Sequence, residues 1–357
     1  MRLLFFNPEH DLALASGNPH YTPPASALAM ATRLQDLPRW WAGPDDLILR
    51  RDGTVTDAAG QVLFSAADPW SARVSSVLPW GWDPLVVRQL RALGVSSSCL
   101  PTDQWLARFR QLSGRATAAT LLQQVLQRCQ ADAACGQLMA SPCEGGAEGI
   151  PGGAHMVGEA CCCHTMEQAE AVHARLTETI FKQPWSGSGR GLHPAHGGRL
   201  DAKTEAWLRR TLRQQGYVMA EPFYDKVQDL AAEFWLQPDG RVRYEGLSLF
   251  QTTAGGVYAG NLVASEQDKR QRLACHIPLG LLDAAIGHLQ QLLAQLLQSL
   301  QTESFPHFQG PLGVDMMVVR HDGALALHPC VEVNFRMTMG WVALQVYQRD
   351  PRGELRM

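Results

Sequence analysis

Hydrophobic and polar positions along the chain follow two periods, one suited to strands and one to helices. Leu3 to Phe6 is a short apolar run that Asn7-Pro8 ends, since proline lacks a donor and restrains the residue before it. This predicts a buried strand that feeds a polar loop. The loop holds Asn7, Glu9, His10 and Asp11, then Ser16-Gly17-Asn18 and Tyr21-Thr22-Pro23-Pro24. Ligands of open α/β sheets sit outside the carboxyl ends of strands, which makes Asn7, His10 and Asp11 candidate substrate contacts. The alternative is a capped turn with solvated side chains. Residues 84–93 carry apolar side chains at Leu85, Val86, Leu90 and Leu93 ahead of Gly94, which predicts a helix with a glycine stop. Residues 103–112 and 115–129 read as two more helices.

Between Gly136 and Gly153 six glycines and two prolines break any period, and a loop or lobe boundary is expected there. Beyond it strands are predicted over 156–163, 179–182, 217–221, 230–236, 242–249 and 316–319, with helices over 166–179 and 201–215. Residues 281–300 place Leu282, Ala285, Ile286, Leu289, Leu293, Leu296 and Leu300 at helical spacing, with glutamines opposite. That is a helix packed on a sheet. No internal repeat is evident.

Composition narrows the class. The chain has 357 residues, 46% of them hydrophobic, so a substantial core of two or three domains is expected and dominant disorder is excluded. Lys and Arg number 31 against 34 Asp and Glu, which argues against coating nucleic acid or an anionic membrane. Asn7, Glu9, His10 and Asp11 interrupt the first apolar run before it could serve as a signal-peptide core, and no apolar run reaches membrane-spanning length. Nine cysteines with no CxxC pair offer no zinc ribbon or redox motif. The expectation is a soluble, cytoplasmic protein with reduced thiols.

Two segments carry chemistry. In the first, Phe181-Lys182-Gln183-Pro184-Trp185-Ser186-Gly187-Ser188-Gly189-Arg190-Gly191-Leu192, a strand delivers a lysine to a loop of glycines, serines and an arginine. Glycines let backbone N–H groups approach phosphate oxygens, and Lys182 and Arg190 add positive charge. The spacing is neither that of a P-loop nor that of a Rossmann fingerprint. Alone, the segment could be a mobile hairpin. The second segment runs Gly313-Val314-Asp315-Met316-Met317-Val318-Val319, turns at Asp322-Gly323, and ends in Val331-Glu332-Val333-Asn334-Phe335-Arg336. An Asp-Gly hairpin would bring Asp315 and Glu332 together, and Asn334 shares the face of Glu332. Their oxygens suit Mg²⁺, a hard cation. Solvated edge-strand carboxylates are the alternative, disfavoured by the apolar neighbours.

A strand lysine with a Ser/Gly-rich loop, followed over a hundred residues later by GVDMMV and VEVNFR, resembles the ATP-grasp superfamily, which includes D-alanine–D-alanine ligase, glutathione synthetase and biotin carboxylase. The resemblance covers roughly residues 115 to 345. It implies a mixed α/β and α+β fold: an N-terminal Rossmann-like pre-ATP-grasp domain over 1–114, an ATP-grasp small lobe over 115–222, and a C-terminal lobe with the metal site over 223–357. By the resemblance, Lys182 contacts the α- and β-phosphates, and Ser186, Gly187, Ser188, Gly189, Arg190 and Gly191 form the loop over the β- and γ-phosphates. Met219, Ala220 and Glu221 form the hinge facing adenine. Asp229 takes the ribose-facing acidic position, for which Glu221 and Glu233 compete. Asp315, Glu332 and Asn334 ligate Mg²⁺, and Arg336 stabilises transferred phosphate or an anionic intermediate. Arg115 stands where many members carry a lysine, which keeps the charge and changes the geometry. The 136–153 loop exceeds what the module needs.

The function so implied is an ADP-forming ligase that uses ATP and Mg²⁺ to activate a carboxylate as an acylphosphate for attack by an amine or similar nucleophile, with small-molecule or peptide substrates. Lys182, Arg190 and Arg336 would be its catalytic side chains. A kinase of a small hydroxyl on the same fold and a non-catalytic nucleotide-binding module are the alternatives. The substrates, the oligomeric state and the roles of 136–153 and Cys161–Cys163 stay open. Cys161-Cys162-Cys163-His164 reads as a strand of small buried residues rather than a metal site, since neighbours alternate across a strand. Tyr258 and Asn261, in a Gly-rich loop over 253–261, are weaker candidates for the substrate or phosphate end.

Overall fold

The computed structural model describes residues 1–132, 155–187, 191–253, 257–301 and 309–351, and the backbone of 355–356. Three sheets organise the described residues. The first has the order Val62–Phe64, Val55–Thr56, Leu47–Leu49, Arg2–Phe5, Ser76–Pro79. Its centre, Arg2–Phe5, pairs in parallel with strands on both sides, and Leu3 and Leu4 are fully buried. A strand buried on both faces is the apolar run that the sequence predicts. The outer two strands form an antiparallel edge.

The polar segment after Asn7-Pro8 differs from the expected loop. His10–Ser16 is a helix, closed by Gly17 at φ 65°. Asn7 and His10 are buried rather than solvated. The Asn7 amide donates to the Gly81 carbonyl at 2.8 Å and to Asp83 at 3.0 Å, clamping the ends of the two parallel strands. Downstream, Asp83 caps the helix Pro84–Ala92 by accepting from the Val86 N–H at 2.9 Å. Helices Asp103–Leu112 and Arg115–Ala131 follow, as expected.

The second sheet is antiparallel, in the order Cys161–Cys163, Val218–Pro222, Glu178–Lys182, Leu192–His196. Helices Met166–Leu176 and Ala202–Gln215 belong to the same region and pack against one of its strands. The single strand expected over 156–163 is two short ones. His155–Met156 joins the third sheet and Cys161–Cys163 the second. Gly158 lies between them at φ 153°, where a Cβ would stand 2.7 Å from Leu122, so the break falls at a position that admits no side chain. Of the three cysteines only Cys163 is buried and Cys162 is exposed, which corrects the reading of a buried strand.

The third sheet has seven strands in the order Leu355–Arg356, Tyr258–Asn261, Val242–Thr252, Asp225–Leu236, Gly310–His321, Ala324–Asn334, His155–Met156. The long hairpin turns at Asp322 and Gly323 with φ of 51° and 77°, the left-handed pair that Asp-Gly supplies. Tyr258–Asn261 is a strand rather than the expected loop, paired with Val242–Thr252 on one side and Leu355–Arg356 on the other. Leu279–Leu297 buries Leu282, Ala285, Ile286, Leu289 and Leu293 in one core with this sheet and with the helix Arg115–Ala131. No described helix is long and apolar enough to cross a membrane.

Candidate active site

The hairpin sets the acidic residues. In its register Asp315 lies directly opposite Glu332, and Gly313 opposite Asn334. Directly opposed residues bring their Cβ atoms within about 5 Å. The Asn334 amide donates to Asp315 Oδ2 at 3.2 Å. Burial and the neighbouring Glu332 charge push the Asp315 carboxyl well above its ordinary range, against the pull of Arg336. Two carboxylates and an amide held this close, one of them resisting ionisation, form an oxygen-donor set that a divalent cation would relieve.

Cations from three parts of the chain converge on this set. Arg115 opens its helix after the loop at Ser113-Gly114, and its guanidinium lies 3.0 Å from Glu332. It also donates to the Gln183 carbonyl at 3.1 Å and to the Ser186 hydroxyl at 3.3 Å. Lys182, at the end of its strand, is buried and donates to Glu221 at 2.5 Å. Arg336 donates through Nε to Asp11 at 2.9 Å and through Nη1 to the Met337 carbonyl at 3.0 Å. Burial alone would raise the Asp11 carboxyl, but the charges of Arg336 and His10 outweigh it and hold it below its ordinary value.

These groups surround one cleft of about 560 Å³. Its walls bring together Asp11, Arg115, Lys182, Gly187, Asp229, Tyr258, Asn261, Asp315, Glu332, Asn334 and Arg336. His10 and Ser186 line a small adjoining recess beside Arg336. His10 Nδ1 lies 3.5 Å from Asp83 in poor alignment for a hydrogen bond. Gly187 abuts Asp11, and any Cβ there would collide with the Asp11 carboxylate. Gly191 holds φ 72° beside Gln183 and Ser186. Ser188, Gly189 and Arg190 lie outside the described residues, as do residues 136–153.

Met219, Ala220, Glu221 and Asn7 sit apart from the cleft surface, whereas Asp229, Tyr258 and Asn261 line it. Met219 and Ala220 are fully buried inside the second sheet, paired with Lys182 and Phe181. Glu221 reaches the site only as the partner of Lys182. Asn7 stays in its buried clamp. Asp229 accepts from Lys226 at 2.6 Å and from Thr252 at 2.9 Å, so it forms part of a closed polar trio. At the far edge the Tyr258 hydroxyl donates to Asn261, whose amide donates to Ser248 at 2.5 Å.

Glu233 is the lining residue that sequence reasoning placed least well. It faces the cleft with Asp229 and Ala231 along one strand, a spacing that strand parity could have read. Its carboxyl is 1% exposed, accepts from the Thr338 hydroxyl at 2.7 Å, and is pushed up to about 8, chiefly by burial. Lys226, Thr338, Phe6, Met30, Trp80 and Met339 also line the cleft without a motif to announce them.

No family model and no curated protein matches the chain. Among solved structures it is similar to N5-carboxyaminoimidazole synthetase from Staphylococcus aureus complexed with ADP, at 10% identity and a TM-score of 0.44, over 94% of this chain and 70% of that one. It is similar to the biotin carboxylase domain of Hydrogenobacter thermophilus 2-oxoglutarate carboxylase with MgADP and bicarbonate, at 10% identity and a TM-score of 0.42, over 77% of this chain and 53% of that one. A biotin carboxylase complex from Campylobacter jejuni gives 13% identity, a TM-score of 0.42 and coverages of 77% and 52%. The chain spans about half the length of these two carboxylase chains. In its own architecture, a lysine-bearing antiparallel sheet and a larger sheet with a carboxylate hairpin face one cleft.

Proposed function

We propose that the protein is an ADP-forming ligase that uses ATP and Mg²⁺ to convert a carboxylate to an acylphosphate, which an amine or similar nucleophile then attacks. The observation that carries this reading is the convergence of Asp315, Glu332 and Asn334 with Lys182, Arg115 and Arg336 around one cleft. The first 114 residues act as a Rossmann-like pre-ATP-grasp domain, 115–222 as the small lobe and 223–357 as the metal-bearing lobe.

In this reading the oxygens of Asp315, Glu332 and Asn334 would hold Mg²⁺, which would supply charge neutralisation to the phosphates when bound. Lys182 lies where it can exchange Glu221 for phosphate oxygens. Arg115, paired with Glu332, would turn to phosphate oxygens in the same way. Asp229, with Lys226 and Thr252, offers acceptors and donors to the ribose. Arg336 neutralises charge on the transferred phosphoryl group and on the carboxylate that receives it. Asp11 orients that guanidinium through its Nε. No nucleophilic side chain is required, because the protein positions and neutralises.

The test is product analysis with Mg²⁺-ATP and a carboxylate panel. ADP released only with carboxylate present supports the ligase. AMP release refutes the acylphosphate scheme, and a stable phosphorylated product formed from an alcohol without any amine supports a kinase instead.

A further inference from the structure

The cleft has two chemically different ends. One holds Lys182, Lys226 and Asp229, and the proposed reaction places the nucleotide there. Beyond Arg336 the walls come from the N-terminal region and from the start of helix Met339–Arg349, and they are largely apolar, broken by Ser26, Thr338 and the Glu233 carboxyl that accepts from Thr338. Phe6, Pro8, Leu12, Met30 and Trp80 face Met339 there. Phe6 and Trp80 are 3% and 7% exposed and meet edge-to-face with centroids 5.0 Å apart, which makes a rigid floor. The Met30 and Met339 side chains are adaptable walls.

Charge at this end is scarce. Among the described residues that the N-terminal region contributes to the cleft, Asp11 alone is charged, and Arg336 holds it. No lysine or arginine of residues 1–114 lines the cleft, and two arginines of that region are held by partners elsewhere. Arg51 pairs with Glu9 at 2.6 Å, and Arg110 donates to the Leu14 and Ala15 carbonyls at 2.7 and 2.8 Å. A phosphate or second carboxylate on the substrate would therefore lose water and find no cation to replace it. A ring or alkyl chain would lose water against apolar surface, which is favourable.

We propose that the acid activated by this protein carries an apolar body and no phosphate or second carboxylate. Its carboxylate faces Arg336 and its body lies among Phe6, Leu12, Met30, Trp80 and Met339. The inference rests on the ligase reading for the direction of the substrate and adds its chemical class.

The experiment uses the full chain saturated with Mg²⁺ and a non-hydrolysable ATP analogue, and calorimetry of 3-phenylpropionate, hexanoate, glutarate and 3-phosphonopropionate. The two apolar acids are expected to bind at least about ten-fold more tightly than the two dianions, as one unpaired buried charge costs more than 1.4 kcal/mol. Met30→Glu should weaken 3-phenylpropionate about ten-fold and leave analogue affinity unchanged. Equal or tighter binding of glutarate or 3-phosphonopropionate, no binding of any acid, or indifference to Met30→Glu would overturn the proposal. A parallel assay with ATP and hydroxylamine separates the two readings. There the carboxylate oxygen attacks the γ-phosphorus and the bond to the β-phosphate oxygen breaks, releasing ADP. Hydroxylamine nitrogen then displaces phosphate from the acyl carbon, its proton passes to solvent, and a hydroxamate remains. Apolar acids that bind without forming ADP or hydroxamate refute the ligase and leave the substrate class standing. Hydroxamate formed only from dianionic acids refutes the class and leaves the ligase.

Discussion

The buried pair of Lys182 and Glu221 gives the sharpest quantitative expectation. The two groups meet at 2.5 Å, and their side chains are 6% and 5% exposed. At an effective dielectric of about 20, charges this close attract by about 6–7 kcal/mol, most of which the cost of removing both from water offsets. Deleting one partner forfeits the attraction and leaves the other charge buried. Glu221→Gln and Lys182→Met should each destabilise the fold by about 3–5 kcal/mol. The double variant leaves no unpaired charge, so its loss should fall short of the sum by about 2 kcal/mol or more. The assay is chemical denaturation followed by fluorescence of the 10 tryptophans. Saturating Mg²⁺-ATP adds a second reading. If phosphate oxygens replace Glu221 as the partner of Lys182, nucleotide should stabilise Glu221→Gln more than it stabilises the native chain. Losses that add within about 0.5 kcal/mol would show that the two charges do not depend on each other. Equal nucleotide stabilisation of both proteins would remove Lys182 from the phosphate site.

Further expectations concern the metal set, the buried Glu233 and the loop. Glu332→Gln or Asp315→Asn should lower kcat at least about a hundred-fold, and chelation with EDTA should abolish ADP release until Mg²⁺ is restored, both read by coupled ADP detection. Glu233 has a folded pKa of about 8 against an ordinary 4.5, so the folded state binds the extra proton between those values. Its contribution to stability is therefore full below about 4.5 and lost as pH rises through 8. Glu233→Gln should flatten the fall in denaturation midpoint between pH 5.5 and 8.5. Gly187→Val forces a side chain against the Asp11 carboxylate. It should reduce kcat/KM about ten-fold or more in the ADP assay while moving the denaturation midpoint little, because Gly187 lies in a loop away from the core.

What the sequence made legible follows from the range of the interactions involved. The hairpin was readable because its turn is local: Asp322-Gly323 fixes the register, and the register places Asp315 opposite Glu332. The lysine strand and the helix at Arg115 were readable by period and punctuation. The helix His10–Ser16 was not, because its entry has no side-chain cap and the polar residues around it are satisfied by distant partners, Glu9 by Arg51 and Asn7 by Asp83. The strand Tyr258–Asn261 was hidden by glycines and depends on pairing with Val242–Thr252 for its existence. The division of the cleft was invisible for the same reason. Phe6, Met30, Trp80 and Met339 meet only after the first sheet and the third have docked, and nothing in their local spacing marks them.

That docking bears on how the N-terminal region takes part in the chemistry. Asp11 touches Arg336 on one side and Gly187 on the other, so a single carboxylate links the N-terminal region, the carboxylate hairpin and the glycine loop. The backbone repeats the connection, since the Met337 N–H donates to the Trp80 carbonyl at 2.9 Å and the Trp80 N–H to the Phe5 carbonyl at 2.7 Å. Arg336 therefore has its direction set from the region that forms the apolar floor, while its charge faces the hairpin oxygens. A substrate that settles on Phe6 and Trp80 rests on the same backbone that orients the arginine. An acid too short to reach that floor would meet Arg336 without being positioned against it, and positioning is where most of the rate in phosphoryl transfer arises. Chain length in a series of straight-chain acids should thus raise kcat/KM until the floor is covered and change it little beyond. A series in which acetate performs as well as hexanoate would detach the floor from catalysis.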